Sequence, residues 1–332
     1  MSLSAHTLAT HLRALDVTLD ALDYRVAIVK AQDYPDPGRP CGWLSLHGAG
    51  LSGSGENVAW TEAAHADDAN ALRIYAQTLC PITASVAQLV DDLGNRFSPY
   101  ARFAFESALV DLALKQQGHS LVSVDRVNLS LPKRVSLRYR VSFAACPDPV
   151  ALMQRLERYY ERPHFKVDVH PQWSAQVVAQ LGASRLVSTL DFKAQAMGTA
   201  FVQRLRVHVP DAIFEDVADA PYPSGPLAWD KCILSPNDID ARVAPGVMFN
   251  LKGPRLGGLF ALLAAIDRCQ QHDAPFYMGG MFELGAGRRQ AQQLAALMCA
   301  DAPNDLAPIP HEAQVWSKAP AQLQISFDKP GF

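Results

Sequence analysis

The sequence predicts an α/β protein: a modified TIM-type (β/α)-barrel with an α+β capping domain built from the N-terminal region and the C-terminal tail. Three observations predict it. From Val135 onward, short apolar runs alternate with amphipathic stretches, over connections short enough for parallel pairing. Five successive runs each end on charge: Lys166 and Asp168 in HFKVDV, Asp191 and Lys193 in STLDFK, Glu215 in AIFED, Asp230 in PLAWDK and Lys252 in VMFNLK. The residues before 125 lack this alternation and mix strand-like runs with helical patterns. A charge at the end of an apolar strand is costly to bury unless it is paired or bound to a metal. Several in succession therefore imply strands whose carboxyl ends converge on one polar site, the end at which a (β/α)-barrel carries its chemistry.

The expected boundaries are a cap over residues 1–125, to which 312–332 returns, and a barrel over 126–311. In the cap, Leu22–Lys30 and Gly42–His47 read as strands joined by the turn-rich AQDYPDPGRP. Too few strands follow for a separate sheet. Helices are expected at Ser85–Leu93 and Tyr100–Gln117. In the second, Phe105, Ala108, Leu109 and Leu112 recur at helical spacing and Gly118 supplies a C-terminal cap. In the barrel, an extended run over Val135–Phe143 precedes a helix at Pro149–Arg162. Strands at Phe165–Val169, Arg185–Asp191 and Ala212–Glu215 then alternate with helices at Gln172–Leu181 and Ala196–His208. Three prolines and a glycine between Val217 and Pro226 leave no room for the next helix. Strands resume at Leu227–Asp230, Val247–Lys252 and Pro275–Gly279, with helices at Gly258–His272 and Arg288–Ala300. The tail beyond Pro308 reads as a last barrel strand returning to the cap.

Composition narrows the function. The 332 residues are 49% hydrophobic and 19% charged, enough for a large core. A net charge of −3 and a pI near 6.4 argue against nucleic-acid binding, which needs a basic patch. Six cysteines lie far apart without metal-ligand spacing, as expected of reduced structural thiols. Asp16, Asp20 and Asp23 interrupt the first apolar positions, so no signal-peptide core is read there. No apolar stretch reaches the ~18 residues of a membrane span. A soluble, cytoplasmic protein is expected. Gly48-Ala-Gly-Leu-Ser-Gly53 satisfies GxGxxG, but a dinucleotide site needs a helix opening there. Ser54–Asn57 reads as continuing loop, so a substrate-covering loop is expected instead.

Residues two apart in a strand share a face, so Lys166 lies with Asp168, and Asp191 with Lys193. Asp191, Glu215 and Asp230, from three successive strands, form an oxygen donor set suited to Mg²⁺. Lys252 and Lys166 would flank it. A lysine so placed can act as a base while the metal stabilises an enolate formed on a small carboxylate substrate.

On these residues the chain resembles the enolase superfamily, in the muconate-cycloisomerase and o-succinylbenzoate-synthase branch. GSGENVAW resembles a cap segment of that branch and FESALVDLALKQQGHSL its last cap helix. FKVDV stands for a Lys-x-Lys strand end, LDFK for Asp-x-Asn, IFED for the glutamate strand and LAWDK for an Asp-Glu strand. NLKGPRLGG and GGMFELGAGRR match the lysine strand and the segment after it. The resemblance implies Asp191, Glu215 and Asp230 as Mg²⁺ ligands, Lys252 as acid/base and Lys166 as an electrostatic auxiliary. It places Asp168 and Lys193 at the catalytic positions beside them. Substrate contacts are implied for Glu56, Trp60, Gly279, Gly280 and Glu283, with loops before Pro40 and around Ser52–Trp60 closing over the ligand. It leaves a homo-oligomer open.

The departures are specific. Asp168 replaces the second lysine of the pair, Lys193 replaces an asparagine and Lys231 a glutamate; Val217 stands where proline is expected. Lys193 either competes with the metal or pairs with Asp168, exchanging the two charges. The implied activity is Mg-dependent abstraction of the proton α to a carboxylate, giving a metal-stabilised enolate. It is most like o-succinylbenzoate-synthase dehydration or muconate-type cycloisomerisation. The alternatives are N-acylamino acid or dipeptide racemisation-epimerisation, disfavoured because it wants a lysine on each face, and a fold-retaining member that has lost metal chemistry.

Overall fold

The computed structural model describes residues 4–29, 39–124, 132–218, 224–308 and 318–332. Helix α1 (Ala5–Arg13) starts at Ser4, whose side chain accepts from the Thr7 N–H. Strand β1 (Asp16–Leu19) is followed by an antiparallel meander of β2 (Ala21–Val29), β3 (Arg39–Gly48) and β4 (Leu51–Asn57). After α2 (Glu62–Leu79), strand β5 (Ile82–Ser85) pairs with β1. Helices α3 (Val86–Leu93) and α4 (Pro99–Gln116) complete the cap. The three-stranded meander corrects the expectation that this region lacks a sheet of its own. Ser52–Asn57, expected as loop, is strand. Most of AQDYPDPGRP lies outside the described residues.

The physical reason is a close approach of backbones. Strand β4 lies directly on α4, which is buried on nearly all sides from Ala101 to Leu114. A Cβ on Gly53 would stand 2.1 Å from the Ala108 carbonyl oxygen, and one on Gly55 2.0 Å from that of Ala104. Gly53, the last glycine of the GxGxxG pattern, and Gly55 beyond it thus serve helix–sheet packing. Gly55→Ala is expected to destabilise the protein by about 3 kcal/mol, since neither backbone can yield cheaply. Thermal unfolding checks it; an unchanged melting temperature would contradict the packing account.

In the second half, the extended run expected at Val135–Phe143 divides into β6 (Arg134–Arg138) and β7 (Val141–Phe143). Then follow α5 (Pro149–Leu156), β8 (Phe165–Asp168), α6 (Ala175–Ser184), β9 (Val187–Asp191), α7 (Thr199–His208) and β10 (Ile213–Glu215). Next come β11 (Leu227–Trp229), α8 (Asn237–Asp240), β12 (Val247–Leu251), α9 (Gly253–Leu256), α10 (Leu259–Gln271), β13 (Phe276–Met278), α11 (Ala286–Met298) and β14 (Gln322–Ser326). Strands β7 to β13 form one seven-stranded parallel sheet in sequence order. Phe165, Leu190, Phe214 and Phe249, each one residue out of phase with the inward Lys166, Asp191, Glu215 and Asn250, are fully buried on the face that meets the helices. Between β10 and β11 the described residues hold no helix. Arg206 covers that flank, stacked 3.6 Å over the Phe214 ring and donating to the Ala212 and Pro226 carbonyls.

The two edges of the sheet are joined by two residues. Arg140 N–H donates to the Asn304 carbonyl (2.8 Å), Asp305 N–H to that of Met278 (2.8 Å), and Gly280 N–H to that of Asp305 (3.1 Å). The eighth stave is therefore Asn304–Asp305, not the tail beyond Pro308. In the tail, β14 pairs antiparallel with β6, and Phe332 N–H reaches the Asp111 carboxylate of α4 at 2.8 Å. Residues 309–317 lie outside the described set. Two buried cap carboxylates also bind barrel helices: Glu106 accepts from Phe260 N–H at the start of α10, and Glu56 from Gly287 N–H at the start of α11. Anionic oxygens at helix N-termini meet unsatisfied N–H groups and the positive end of the dipole. Among the described residues no helix is long and apolar enough to cross a membrane, and all six cysteines are free thiols.

Candidate active site

Strand register brings the acids together. Asp168 lies opposite Asp191 across β8 and β9, and Asp191 opposite Glu215 across β9 and β10. Asp230 directly follows β11 and Lys252 directly follows β12. Asp216, at φ 54°, turns the chain after β10, and its carboxylate accepts from Asp230 N–H (2.8 Å) and Lys231 N–H (2.9 Å), which fixes where Asp230 points. As a result, one carboxylate oxygen from each of Asp191, Glu215 and Asp230 lies within 4.8 Å of the others, all three residues being buried.

Cations surround this triad. The Lys166 ammonium contacts Glu215, Asp191 (3.1 Å) and Asp305 (3.4 Å) from an almost fully buried position. Lys252 reaches Asp230 at 2.8 Å, and Arg255 pairs with the other oxygen of that carboxylate. Lys193 contacts Asp191 at 2.6 Å and Asp168 at 2.9 Å. It is not an extended strand residue: at φ 53° it bends out of β9, so its contact with Asp191 comes from a turn rather than from strand alternation. Of the two expectations for Lys193, pairing with Asp168 is observed together with the contact to Asp191. Among the described residues, Lys166, Lys193, Lys252 and Arg255 face the carboxyl groups of Asp168, Asp191, Glu215, Asp230 and Asp305.

The electrostatics follow. Burial opposes ionisation of Asp191, but the ammonium groups of Lys166 and Lys193 outweigh it and hold its carboxyl far below the usual range. Burial likewise opposes ionisation of Asp230, and Lys252, Lys166 and Arg255 bring it to about 2. Burial, with the neighbouring Asp191 and Asp230 charges, pushes Glu215 upward against the pull of Lys166. Burial weakens Lys166 as a cation, yet Glu215, Asp191 and Asp305 raise it well above its ordinary value. A depressed carboxyl stabilises the fold above its unfolded pKa. The Asp230 contribution, on the order of 2 kcal/mol, is therefore complete above about pH 4 and lost as pH falls through about 2. Denaturant unfolding should show wild-type stability falling over that window more than that of Asp230→Asn; parallel curves would contradict the assignment.

Four further groups at the site escape a reading of charged strand ends. Tyr277 Oη–H donates to Glu215, and Asn250 Nδ2 donates to the same carboxylate at 3.2 Å. Both face the interior from β13 and β12, and alternation from Lys252 would have found Asn250. Arg255 sits one turn beyond Lys252 in NLKGPR. Asp305 had no such signal, because its stave has only two residues.

The residues expected to contact substrate divide. A Cβ on Gly279 would stand 2.7 Å from Lys252 Cε, and one on Gly280 2.8 Å from Glu283, so this segment lies against the site. Glu283 Oε1 accepts from Met281 N–H, and its other oxygen is 3.6 Å from Arg288. Glu56 differs from expectation. Its oxygens are taken by the N–H groups of Leu284, Gly285 and Gly287 and by the Cys41 thiol, so it holds the Gly279–Gly287 segment rather than presenting a carboxylate to solvent. Trp60 is 53% exposed and meets Phe282 edge-on at 5.9 Å, with the Arg39 guanidinium 3.9 Å above its ring. That contact joins cap and barrel at the rim. The loop expected before Pro40 lies mostly outside the described residues.

A curled parallel sheet under a cap, with acids from successive strands meeting at its carboxyl ends, defines an enzyme of the enolase superfamily. The chain belongs to the family described as domain of unknown function DUF8230, whose N-terminal domain matches residues 10–124 and C-terminal domain residues 134–313. An o-succinylbenzoate synthase of Geobacillus stearothermophilus is 25% identical over 289 residues, covering 79% of this chain and 75% of the relative. Among solved structures, muconate lactonizing enzyme from Pseudomonas putida superposes with a TM-score of 0.70 at 16% identity, over 87% of each chain. Dipeptide epimerase from Methylococcus capsulatus, complexed with Mg and the dipeptide L-Arg-D-Lys, does so with a TM-score of 0.67 at 20% identity, over 87% of this chain and 90% of that one.

Proposed function

We propose that this chain abstracts the proton α to the carboxylate of a small acid in a Mg²⁺-dependent reaction, of the o-succinylbenzoate-synthase or muconate-cycloisomerase kind. The observation that carries the reading is the convergence of the Asp191, Glu215 and Asp230 oxygens within 4.8 Å, beside the Lys252 ammonium. The donor set, all hard carboxylate oxygen, suits Mg²⁺. Held there, the ion would stabilise the negative charge that develops on the substrate carboxylate as the adjacent C–H ionises. Lys252, as the neutral amine, would take that proton on Nζ: it is buried, and among the described residues its direct ion-pair partner is Asp230. Lys166 stays cationic among its three acids and supplies positive charge without exchanging protons. Asp168 offers no ammonium on the second face, so a one-base elimination or cycloisomerisation fits better than epimerisation. Gly279 lets the backbone pass close to Lys252.

Two measurements test the reading together. Calorimetric titration with Mg²⁺ is expected to show one site on the purified full chain. A panel of small carboxylates, including N-succinyl amino acids, dipeptides and muconate, is then incubated with Mg²⁺ in deuterium oxide. Deuterium entering beside the carboxylate of at least one supports the proposal. No Mg²⁺ binding would overturn it in favour of a fold-retaining binding module.

A further inference from the structure

Lys193 engages both oxygens of Asp191. Its backbone N–H donates to Oδ1 at 2.9 Å and its ammonium to Oδ2 at 2.6 Å. The same ammonium lies 2.9 Å from Asp168, at the rim. Its side chain is 45% exposed, against 3% for Lys166 and 8% for Lys252. Of these three lysines it alone can withdraw into solvent without leaving a buried cavity. A dication bound to Asp191 would stand within a few ångströms of this ammonium, and like charges at that range repel strongly where water is scarce. Each therefore weakens the other's hold on the carboxylate, and Lys193, the one nearest solvent, is the one free to yield.

From this geometry we infer that the Lys193 ammonium is a tethered competitor for the divalent ion. It occupies Asp191 when the seat is free and is displaced toward Asp168 when the ion loads. Asp168 is its second station, keeping the charge paired at the rim instead of expelling it. The substitution of aspartate for the second lysine and of lysine for asparagine then form one device, a charge exchange that makes metal loading a displacement. The inference rests on the metal-assisted reading above.

The test is Mg²⁺ calorimetry on the purified full chain at fixed ionic strength. Lys193→Met is expected to bind Mg²⁺ at least tenfold more tightly than wild type. Lys193→Asn, which keeps a polar side chain, is expected to behave alike and guards against a folding defect in the first variant. Lys231→Met removes an exposed positive charge one residue from Asp230 and is expected to change affinity less than threefold. Equal affinity in wild type and both Lys193 variants overturns the competitor while leaving the metal-assisted reading in place. An equal gain from Lys231→Met also overturns it, by showing general charge rather than occupancy of the seat. Absence of binding in every protein overturns the metal-assisted reading itself, and the inference with it.

Discussion

Lys252→Met is expected to lower α-proton exchange by about 10³-fold for any carboxylate the wild type deuterates. The magnitude is that of removing a positioned general base. The prediction follows from partner counts around the three lysines. Among the described residues, Lys166 pairs directly with three carboxylates and Lys193 with two, whereas Lys252 pairs directly with Asp230, which Arg255 can keep paired when Lys252 is gone. The variant should therefore lose chemistry while retaining most of its stability, and NMR exchange alongside thermal unfolding separates the two. Exchange within tenfold of wild type would remove Lys252 from the role and send the search to the other lysines.

The second large effect is on stability. Lys166→Met removes the ammonium common to Glu215, Asp191 and Asp305 and leaves buried acids short of a partner. Breaking a buried ion pair by deleting one member costs about 3–5 kcal/mol, which corresponds to a drop of roughly 10 °C in melting temperature. The sign with pH is specific. Burial opposes ionisation of Asp191 and Asp305, but Lys166 helps hold both below their ordinary values. What they contribute is present above the unfolded carboxylate range and is lost as pH falls through their lower folded values. Lys166 itself is raised, so its contribution persists until strongly alkaline pH. The gap between wild type and variant should stay level from about pH 5 to 9 and close in acid. A gap that widens in acid would show that Lys166 is not the counter-ion of these groups.

Much of the site was legible because barrel chemistry sits at strand ends, and a strand end is marked in sequence by an apolar run that stops on a charge. Asp191, Glu215, Asp230 and Lys252 stand out this way; register sets Asp191 beside Glu215, and the oxygens of the three acids converge within 4.8 Å. The glycine-rich segment after β3 was misread for a related reason. Glycine marks both a loop and a strand pressed on a helix, and only the distance from Gly53 and Gly55 to the α4 backbone separates the two. For Glu56 the resemblance implies a substrate contact, while the structure makes it a helix-capping group; both roles ask for a carboxylate. Its partners, the N–H groups ahead of α11, lie more than 220 positions away.

The sequence by itself determined the barrel and cap, the carboxylate triad and the lysine beside it, because these depend on periodicity and on the cost of burying charge, both local to each run. Tertiary structure decided how the charges are partnered. The two-residue stave that brings in Asp305, the turn that hooks Lys193 back onto Asp191 and Asp168, and the Tyr277 and Asn250 donors to Glu215 all arise where distant segments meet. An ion pair depends on separations of a few ångströms between side chains from different strands, and no pattern within a single strand encodes that distance.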